Sequence, residues 1–316
     1  MTGLRNWCAA VALGAAGLPA MAQTAAIVAA STNTADAQSE PRFTDPRDKI
    51  MATGLFTQVD IINATGIGDG VGTPSLATLM QYDAVIVWSN VSFVDSVEMG
   101  DVLADYVDAG GGVVVALFAN TTTTTNRNLA GRWQEPAGGY IAIPQGGGFT
   151  IETTASLGEI LVPGHPILEG VETFVNDVGI GSLGPFGAWR PTETAVTAGS
   201  EVIARYDDGK TLIVVAPNPR VVELGFHPVS SAVNDGYWNE TTDGGLIMAN
   251  ALLFAAGLTG NECVADVNGD GVLSPADFSA WVAAFNAGDP ECDQNGDSVC
   301  TPADFSAWVA NYNAGC

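Results

Sequence analysis

The chain has 316 residues, a length that suits one or two domains with a sizeable core. Its formal net charge is −25 at pH 7, from 35 Asp and Glu residues against 10 Lys and Arg. Such an acidic surface repels phosphate backbones, which argues against a nucleic-acid partner and suits a saline or calcium-containing exterior.

The N-terminal segment 1–22 has the composition of a secretory signal peptide. Arg5 precedes the apolar stretch 7–18, and small residues at 20 and 22 supply a cleavage site before Gln23. The alternative is a buried N-terminal helix. No later apolar run approaches the roughly 20 residues of a membrane-spanning helix. We therefore expect a secreted or cell-surface protein without a transmembrane segment in its mature chain.

Residues 23–258 alternate strand-like and helix-like segments. Helical spacing occurs at 46–56 and 97–110. This alternation predicts a flavodoxin-like parallel sheet with helices on both faces. The short β-branched runs that predict its buried strands lie at 25–30, 59–62, 83–88 and 112–118.

The second half of this region is less regular. Residues 120–195 are rich in Thr, Gly and Pro, which predicts long loops with short strands. The segment 201–217 predicts a hairpin that turns at Asp208-Gly209, and 220–228 predicts another strand. A closing helix is expected at 243–257.

The two histidines are the candidate catalytic residues. His165 in PGHPILEG and His227 in GFHP each precede a proline, which predicts turns near strand ends. Sites in α/β proteins form at such edges. Nothing in the sequence pairs either histidine with a carboxylate for acid–base chemistry, and a histidine in a turn is often structural.

Other catalytic motifs are incomplete in this sequence. The glycine-rich stretch 66–72 matches neither G-x-G-x-x-G nor the P-loop, so it predicts an irregular loop and no bound nucleotide cofactor. Ser182 lacks the glycine that a G-x-S-x-G elbow requires two positions earlier.

A set of aromatic and polar residues is expected near the strand ends, where it would suit sugar stacking and hydrogen bonding. Ordinary loop packing is the alternative. The set consists of Trp88, Asn90, Asn120, Trp133, His227, Tyr237 and Trp238.

Four segments are similar to the class I glutamine amidotransferase-like superfamily, particularly its ThuA-like and β-galactosidase-middle-domain branches. The turn 119–121 stands where amidotransferases of that superfamily place a cysteine, and it contains no thiol. The resemblance therefore implies the fold and a link to carbohydrate, without amidotransferase activity. The segments are 82–90, 101–118, 164–171 and 243–257.

Two acidic repeats, 266–277 and 293–304, lie near the C-terminus. Each places oxygen-bearing side chains at positions 1, 3, 5 and 12 of a twelve-residue loop, which is the pattern of calcium-binding loops. Position 7 adds a backbone carbonyl and position 9 can hold a bridging water; Ser298 replaces the glycine at position 6 of the second loop. The ligands expected for two calcium ions are Asp266, Asn268, Asp270, Val272, Ser274 and Asp277, then Asp293, Asn295, Asp297, Val299, Thr301 and Asp304.

An apolar stripe follows each loop at helical spacing, so the two helices are expected to pack face to face. The stripes are Phe278, Trp281, Val282 and Phe285, then Phe305, Trp308, Val309 and Tyr312.

Cysteine usage predicts disulfides in the same tail. Cys8 leaves with the leader, and the other four cysteines all lie between positions 263 and 316. An even count in a short exported module predicts two bridges with three possible pairings. We favour Cys292–Cys300 within one loop and Cys263–Cys316 between the ends of the module.

Residues 263–316 resemble the type I dockerin family, particularly the Gly-Cys-ended dockerins of planctomycete-type exported proteins. The resemblance implies calcium binding and docking to a cohesin-like or other surface or scaffold protein. Both loops carry Pro-Ala at positions 10 and 11, where the family usually has partner-recognition side chains.

Together these patterns predict an exported, calcium-binding modular protein whose amidotransferase-like domain binds carbohydrate or protein without catalysis. The alternative is a dockerin-borne hydrolase that acts on glycans in polysaccharide catabolism.

Overall fold

The computed structural model describes residues 23–32, 34–150, 153–181, 184–259, 264–268, 273–295 and 299–314. The expected leader, 1–22, lies outside these residues, so its cleavage stays a prediction. The same holds for five residues with expected roles: Cys263, Asp270, Val272, Asp297 and Cys316.

The described part of the chain contains thirteen strands and six α-helices. The strands are β1 (Thr24–Ala30), β2 (Gln58–Asn63), β3 (Ala84–Ser89), β4 (Gly112–Ala116), β5 (Phe149–Thr150), β6 (Ala155–Ile160), β7 (Val175–Asn176), β8 (Val178–Gly181), β9 (Gly184–Gly187), β10 (Arg190–Pro191), β11 (Glu201–Tyr206), β12 (Thr211–Val215) and β13 (Val221–Leu224). The helices are α1 (Pro41–Met51), α2 (Leu76–Leu79), α3 (Ser96–Asp108), α4 (Gly244–Ala255), α5 (Pro275–Ala287) and α6 (Pro302–Ala314).

Nine strands form one mixed sheet in the order β2-β1-β3-β4-β13-β12-β11-β6-β7. The first five are parallel neighbours in the flavodoxin-like order, which confirms the parallel sheet expected from the sequence. The last four extend the sheet by antiparallel pairing. The β11–β12 hairpin confirms the turn at Asp208-Gly209, whereas the pairing of β6 and β7 with the sheet was not predicted.

Helices cover both faces of the parallel strands, as expected. Alternate strand residues point to opposite sides, so Ile27 and Ile86 share a core with α1 and α4. Val28 and Val87 share a second core with α3. All six residues of β3 are buried, because a central parallel strand is covered on both faces.

The first helix begins earlier than its sequence pattern indicates. The spacing predicts a helix over 46–56, but α1 runs from Pro41 to Met51. The Glu40 carboxylate accepts a hydrogen bond from the Arg42 backbone N–H, and Pro41 takes a first-turn position that needs no donor. Pro46, which marked the expected start, is a buried residue inside the helix.

The glycine-rich stretch 66–72 is an irregular loop, as expected. The Asn63 side-chain amide donates to Asp69 Oδ1 at 2.7 Å, and the Ala37 N–H donates to Asp69 Oδ2 at 3.0 Å. Both carboxylate oxygens of Asp69 therefore have partners within the protein.

In the tail, α5 and α6 pack around a small core that contains Ala265, Trp281 and Trp308. Each indole N–H donates to a backbone carbonyl at 3.1 Å, Trp281 to Cys292 and Trp308 to Ala265. The Phe278 and Trp308 ring centroids lie 5.2 Å apart. The expected packing of the two helices is thus confirmed.

The apolar stripes are nevertheless only partly buried. Phe278 and Phe305 are 39% and 44% exposed, and Val282 and Val309 are each 37% exposed. These four residues stay partly exposed because two packed helices bury only the sides that face each other.

Cys292 and Cys300 form the disulfide favoured from the sequence, with Cα atoms 5.6 Å apart. The bridge ties the residue just before the second acidic loop to position 8 of that loop. Separately, no helix among the described residues is long and apolar enough to cross a membrane.

Candidate functional site

The parallel strands bring polar residues from distant parts of the sequence to one edge of the sheet. Ser31 follows β1, Ser89 ends β3, Asn120 lies shortly after β4, and His227 lies shortly after β13. Neighbouring parallel strands end at the same edge, so these residues share it. We call this edge the carboxyl edge; it includes the point where strand order reverses, the usual ligand position in open α/β sheets.

His227 is a buried polar residue of the carboxyl edge with one ring nitrogen engaged. It is 3% exposed, and its Nδ1 lies 3.1 Å from the Leu117 carbonyl oxygen. A carbonyl only accepts, so Nδ1 carries the proton and Nε2 of the neutral ring is a bare acceptor. Nε2 is buried, and no described residue gives it a hydrogen bond. Burial lowers the pKa of His227 to about 4, so the ring is neutral at physiological pH.

The charges that act on His227 are positive. Arg42 and Arg127 add to the lowering of its pKa by burial, and the groups that shift this pKa include no carboxylate. The buried carboxylate of Asp45 accepts from the Ser230 N–H at 2.7 Å and from the Ser230 hydroxyl at 2.8 Å. Within the described residues, His227 therefore lacks the carboxylate partner that acid–base catalysis commonly uses.

Unpaired buried polar atoms are concentrated at the carboxyl edge. Nine buried side-chain nitrogen or oxygen atoms of the described residues have no hydrogen-bond partner, although such atoms are normally paired. The set contains both donors and acceptors, so a molecule that pairs with all of these atoms must both accept and donate hydrogen bonds. Six of the nine belong to residues at the strand ends or in the loop after β4: Ser31 Oγ, Trp88 Nε1, Asn120 Oδ1, Arg127 Nε, Asn128 Oδ1 and His227 Nε2.

The loop after β4 is held against the end of β3. The Ser89 hydroxyl donates to the Arg127 carbonyl at 2.9 Å, and the Asn128 side-chain amide donates to the Thr122 carbonyl at the same distance. These contacts place Arg127 and Asn128 beside the strand ends.

Aromatic rings cover the carboxyl edge. The Phe118 ring centroid lies 5.6 Å from that of His227, and Phe149 and Trp189 pack on Phe118 at 4.6 Å and 5.7 Å. The Tyr237 ring lies 5.1 Å from His227. Apolar and aromatic walls around a few polar groups are typical of small-molecule sites.

His165 has a structural environment. It precedes the short 3-10 helix Pro166–Leu168, and its Nδ1 accepts from the Ile167 N–H at 3.2 Å. Its ring lies 4.7 Å from that of Phe254. Because Nδ1 accepts this hydrogen bond, the ring caps the short helix, and burial lowers the pKa of His165.

The two histidines lie at opposite edges of the sheet. Gly112, at the start of β4, packs directly on the backbone of Ala255, which ends α4. His165 lies at this same end of α4 through its contact with Phe254. The structure therefore does not bring His165 and His227 into one site.

The aromatic set expected for sugar stacking does not form one platform. Trp88, Trp133 and Trp238 are each at most 1% exposed. Trp133 stacks on Tyr140 at 5.0 Å in the core with α3, whereas Trp88 and Trp238 belong to the other core. The large rings fill the interior on both sides of the sheet, so packing, the alternative to sugar stacking, holds for them.

A second candidate site is the pair of acidic loops in the tail. Position 12 of each loop holds a fully buried carboxylate, Asp277 or Asp304. Asp277 Oδ2 accepts from the Ser274 N–H and Asp304 Oδ2 accepts from the Thr301 N–H, both at 2.7 Å. The Thr301 hydrogen bond is the main cause that lowers the pKa of Asp304, which favours the ionised form.

The first loop brings two carboxyl groups together. Burial raises the pKa of Asp277, but hydrogen bonds from the backbone N–H groups of Ser274 and Asn268, together with an interaction with the Asp266 side chain, outweigh it and leave that pKa lowered. Asp266 and Asp277, at positions 1 and 12, are therefore in contact. Two adjacent carboxylates repel each other unless a proton or a cation lies between them, so these residues fit a calcium ion.

The described residues do not contain a complete ligand set. Among them, no group of three or more His, Cys, Asp and Glu residues is placed to hold a metal ion. The position-5 carboxylates, Asp270 and Asp297, and the position-7 residue Val272 lie outside the described residues. The expected ligands that are described are Asp266, Asn268, Ser274, Asp277, Asp293, Asn295, Val299, Thr301 and Asp304.

Sequence reasoning placed His227 and Asn120 near strand ends but missed Ser31, Arg127 and Asn128. Ser31 had a usable signal, because it directly follows the apolar run 25–30. Arg127 and Asn128 had none, since they lie in a Thr-rich loop whose path depends on contacts with β3.

Sequence comparison assigns the chain to no family. No family model matches it, and no curated protein matches it. Among solved structures, the chain is similar to a ThuA-like protein from Bacteroides uniformis, with 15% identity and a TM-score of 0.47. The match covers 77% of this chain and 95% of that chain.

Proposed function

We propose that this chain is an exported modular protein whose α/β domain binds carbohydrate at the carboxyl edge without catalysis. Its tail binds two calcium ions and docks to a surface or scaffold protein. The observation that carries the binding part is the set of six unpaired buried polar atoms at one edge of the sheet.

Carbohydrate is the ligand class that suits this set. A sugar hydroxyl donates and accepts at once, and it can therefore serve neighbouring groups of opposite character. His227 Nε2 and Asn120 Oδ1 accept, whereas Trp88 Nε1 donates. Leaving such groups unpaired costs about 1–3 kcal/mol each, so a ligand that pairs them gains affinity. Ordered water is the competing occupant.

A binding role is favoured because His227 lacks a carboxylate partner. Hydrolases that use a histidine commonly orient it with an acid, whereas the groups acting on His227 are Arg42 and Arg127. Asp45, the buried acid of α1, has both carboxylate oxygens engaged by Ser230.

Hydrolysis of a glycan is the second candidate function, and one observation favours it. At neutral pH the His227 ring is neutral with a bare Nε2, which is the form that a general base needs. Turnover that disappears in His227→Ala would support this alternative over the binding role.

The calcium part of the proposal rests on the repeated loops. Asp277 and Asp304 are buried at position 12 with matching hydrogen bonds, and Asp266 contacts Asp277. A bound calcium ion would supply positive charge that offsets the clustered carboxylates and couples loop closure to folding. The dockerin-like role of the tail, with a cohesin-like or other partner, is part of this proposal.

The function is tested on residues 23–316 by glycan-array binding beside a hydrolysis screen of the same glycans, in calcium buffer. Binding without turnover is the expected result. Turnover would favour the hydrolase, and an absence of both across the array would contradict the carbohydrate proposal. His165→Ala is the matched control, because His165 lies at the opposite edge and should leave binding unchanged.

A further inference from the structure

Arg127 differs from every other cationic side chain in the described part of the chain. The sequence has 10 Lys and Arg residues, of which Arg5 lies outside that part. Five of the other nine form ion pairs: Arg42, Arg47, Lys49, Arg132 and Arg190. Arg205, Lys210 and Arg220 donate to backbone carbonyls. The guanidinium of Arg127 does neither.

The surroundings of Arg127 make this unusual. Its Nε is buried without a partner, and its guanidinium carbon lies 5.7 Å from the ring centroid of Phe118. Burial removes part of the Arg127 guanidinium from water and lowers the pKa of Arg127. A partly buried cation without an anion is costly. The chain carries 35 acidic residues, yet none among the described residues pairs with it.

Arg127 also belongs to the carboxyl edge. Its charge acts on His227, and both residues approach the same Phe118 ring, whose centroid lies 5.7 Å from the Arg127 guanidinium carbon and 5.6 Å from the His227 ring. Asn128, the next residue in the chain, has an unpaired buried Oδ1. A ligand that binds His227 Nε2 would therefore also lie close to the Arg127 guanidinium.

We propose that the ligand of the carboxyl edge is an acidic sugar whose anionic group pairs with Arg127 while a hydroxyl donates to His227 Nε2. This inference rests on the proposed carbohydrate binding and adds the charge of the ligand. A guanidinium presents two parallel N–H donors to an anion with two oxygens, which suits a carboxylate or a sulfate ester on the sugar. The anion supplies the counter-charge that no described residue provides.

The test compares sugars that differ only in charge. Residues 23–316 in calcium buffer are titrated by calorimetry with trigalacturonate, a glucuronate oligomer and a mannuronate oligomer, each beside its methyl ester, and with a sulfated galactan oligomer beside its desulfated form. At least one acidic oligomer should bind about tenfold or more tightly than its neutral counterpart, and added salt should weaken it. The carboxylated and sulfated arms identify which anion is preferred.

Substitutions at Arg127 test whether this residue causes the preference for the acidic sugar. Arg127→Gln should remove most of the preference for the acidic sugar, about tenfold to a hundredfold in Kd, and Arg127→Lys should restore part of it. Arg47→Gln is the matched control, since Arg47 pairs with Asp48 at 2.8 Å on α1 and should leave binding unchanged. Melting temperatures check that each variant is folded.

Three outcomes would overturn the inference, the last of them together with the proposed function. Equal binding of acidic and neutral sugars by the wild-type chain would show that the negative charge of the ligand does not contribute to affinity. It would not contradict carbohydrate binding. A charge preference that survives Arg127→Gln in folded protein would locate the anion elsewhere. Failure of every sugar to bind would instead contradict the proposed function as well.

Discussion

The Leu117 carbonyl oxygen lies 3.1 Å from His227 Nδ1, and this contact leaves Nε2 as the nitrogen that a ligand can use. The phenylalanine variant His227→Phe keeps a ring of similar size but removes both nitrogens. We expect glycan affinity to fall about tenfold or more, because one buried hydrogen bond is lost. Titration calorimetry measures the loss. An unchanged affinity in folded His227→Phe would show that the sugar does not contact this residue.

The lowered pKa of His227 predicts a particular pH dependence of stability. Its pKa is about 4 in the folded chain, below the ordinary value of 6.5. Above pH 6.5 neither state binds the proton, so the stabilising contribution of the neutral buried ring is fully present. As the pH falls from 6.5 through about 4, the unfolded chain binds a proton that the folded chain does not, and stability is lost.

Denaturant unfolding between pH 7 and 4 checks this expectation. The loss of unfolding free energy in that window should be smaller in His227→Phe than in the wild type, since the variant has no proton to bind there. Parallel curves for the two proteins would mean that His227 titrates normally in the fold.

Glu223 predicts a dependence of the opposite sign. It is 1% exposed in β13, and its carboxylate accepts from the Ala142 N–H at 2.8 Å and the Ile143 N–H at 3.2 Å. Burial raises the pKa of Glu223 from 4.5 to about 8, against the effect of those two hydrogen bonds. Its neutral form is favoured in the fold, so this contribution is full below pH 4.5 and is lost as the pH rises through about 8.

The glutamine variant Glu223→Gln separates this contribution from the others. His227 acts in the opposite direction below pH 6.5, so the Glu223 contribution is measured as a difference between two proteins. Between pH 5 and 8 the stability of the wild type should fall relative to that of Glu223→Gln, which has no charge to develop, by a slope of at most one proton. Urea unfolding at several pH values measures both slopes. Equal slopes would place the charge of Glu223 in a more solvated environment than the structure shows.

Removal of calcium should destabilise the tail more than the α/β domain. Binding to the folded state stabilises by mass action, so calorimetry in calcium should show a tail transition that moves to lower temperature in chelator. Asp277→Ala should lower calcium affinity and remove the Ser274 contact. Asp289→Ala, an exposed acid in the same module, is the control that should change little. A tail transition at the same temperature in calcium and in chelator would contradict calcium binding by the tail.

The amount that could be predicted from sequence differs between parts of the molecule. The parallel strands are continuous apolar runs, and β3 is buried along its whole length, so local composition was sufficient. His227 was placed near a strand end because Pro228 follows it and predicts a turn. Cys292 and Cys300 are close in sequence, which made their pairing the simplest one.

Long-range contacts explain most of what was missed. Arg127 reaches the carboxyl edge through a hydrogen bond to Ser89, 38 residues earlier in the chain, and no local pattern encodes that distance. The sequence left both sugar stacking and packing open for the tryptophans, for a related reason. Whether Trp88 or Trp133 faces a ligand or a core depends on which helix covers it, and sequence spacing does not specify this.

The most direct test of carbohydrate binding at the carboxyl edge is the imidazole nitrogen resonance of His227, followed by NMR while the tightest glycan of the array is added. The chain has two histidines, so His165 at the opposite edge is an internal reference. The Nε2 signal of His227 should move toward the hydrogen-bonded position and saturate with the binding curve, while His165 stays in place. A glycan that binds without moving His227 would contradict the proposed site.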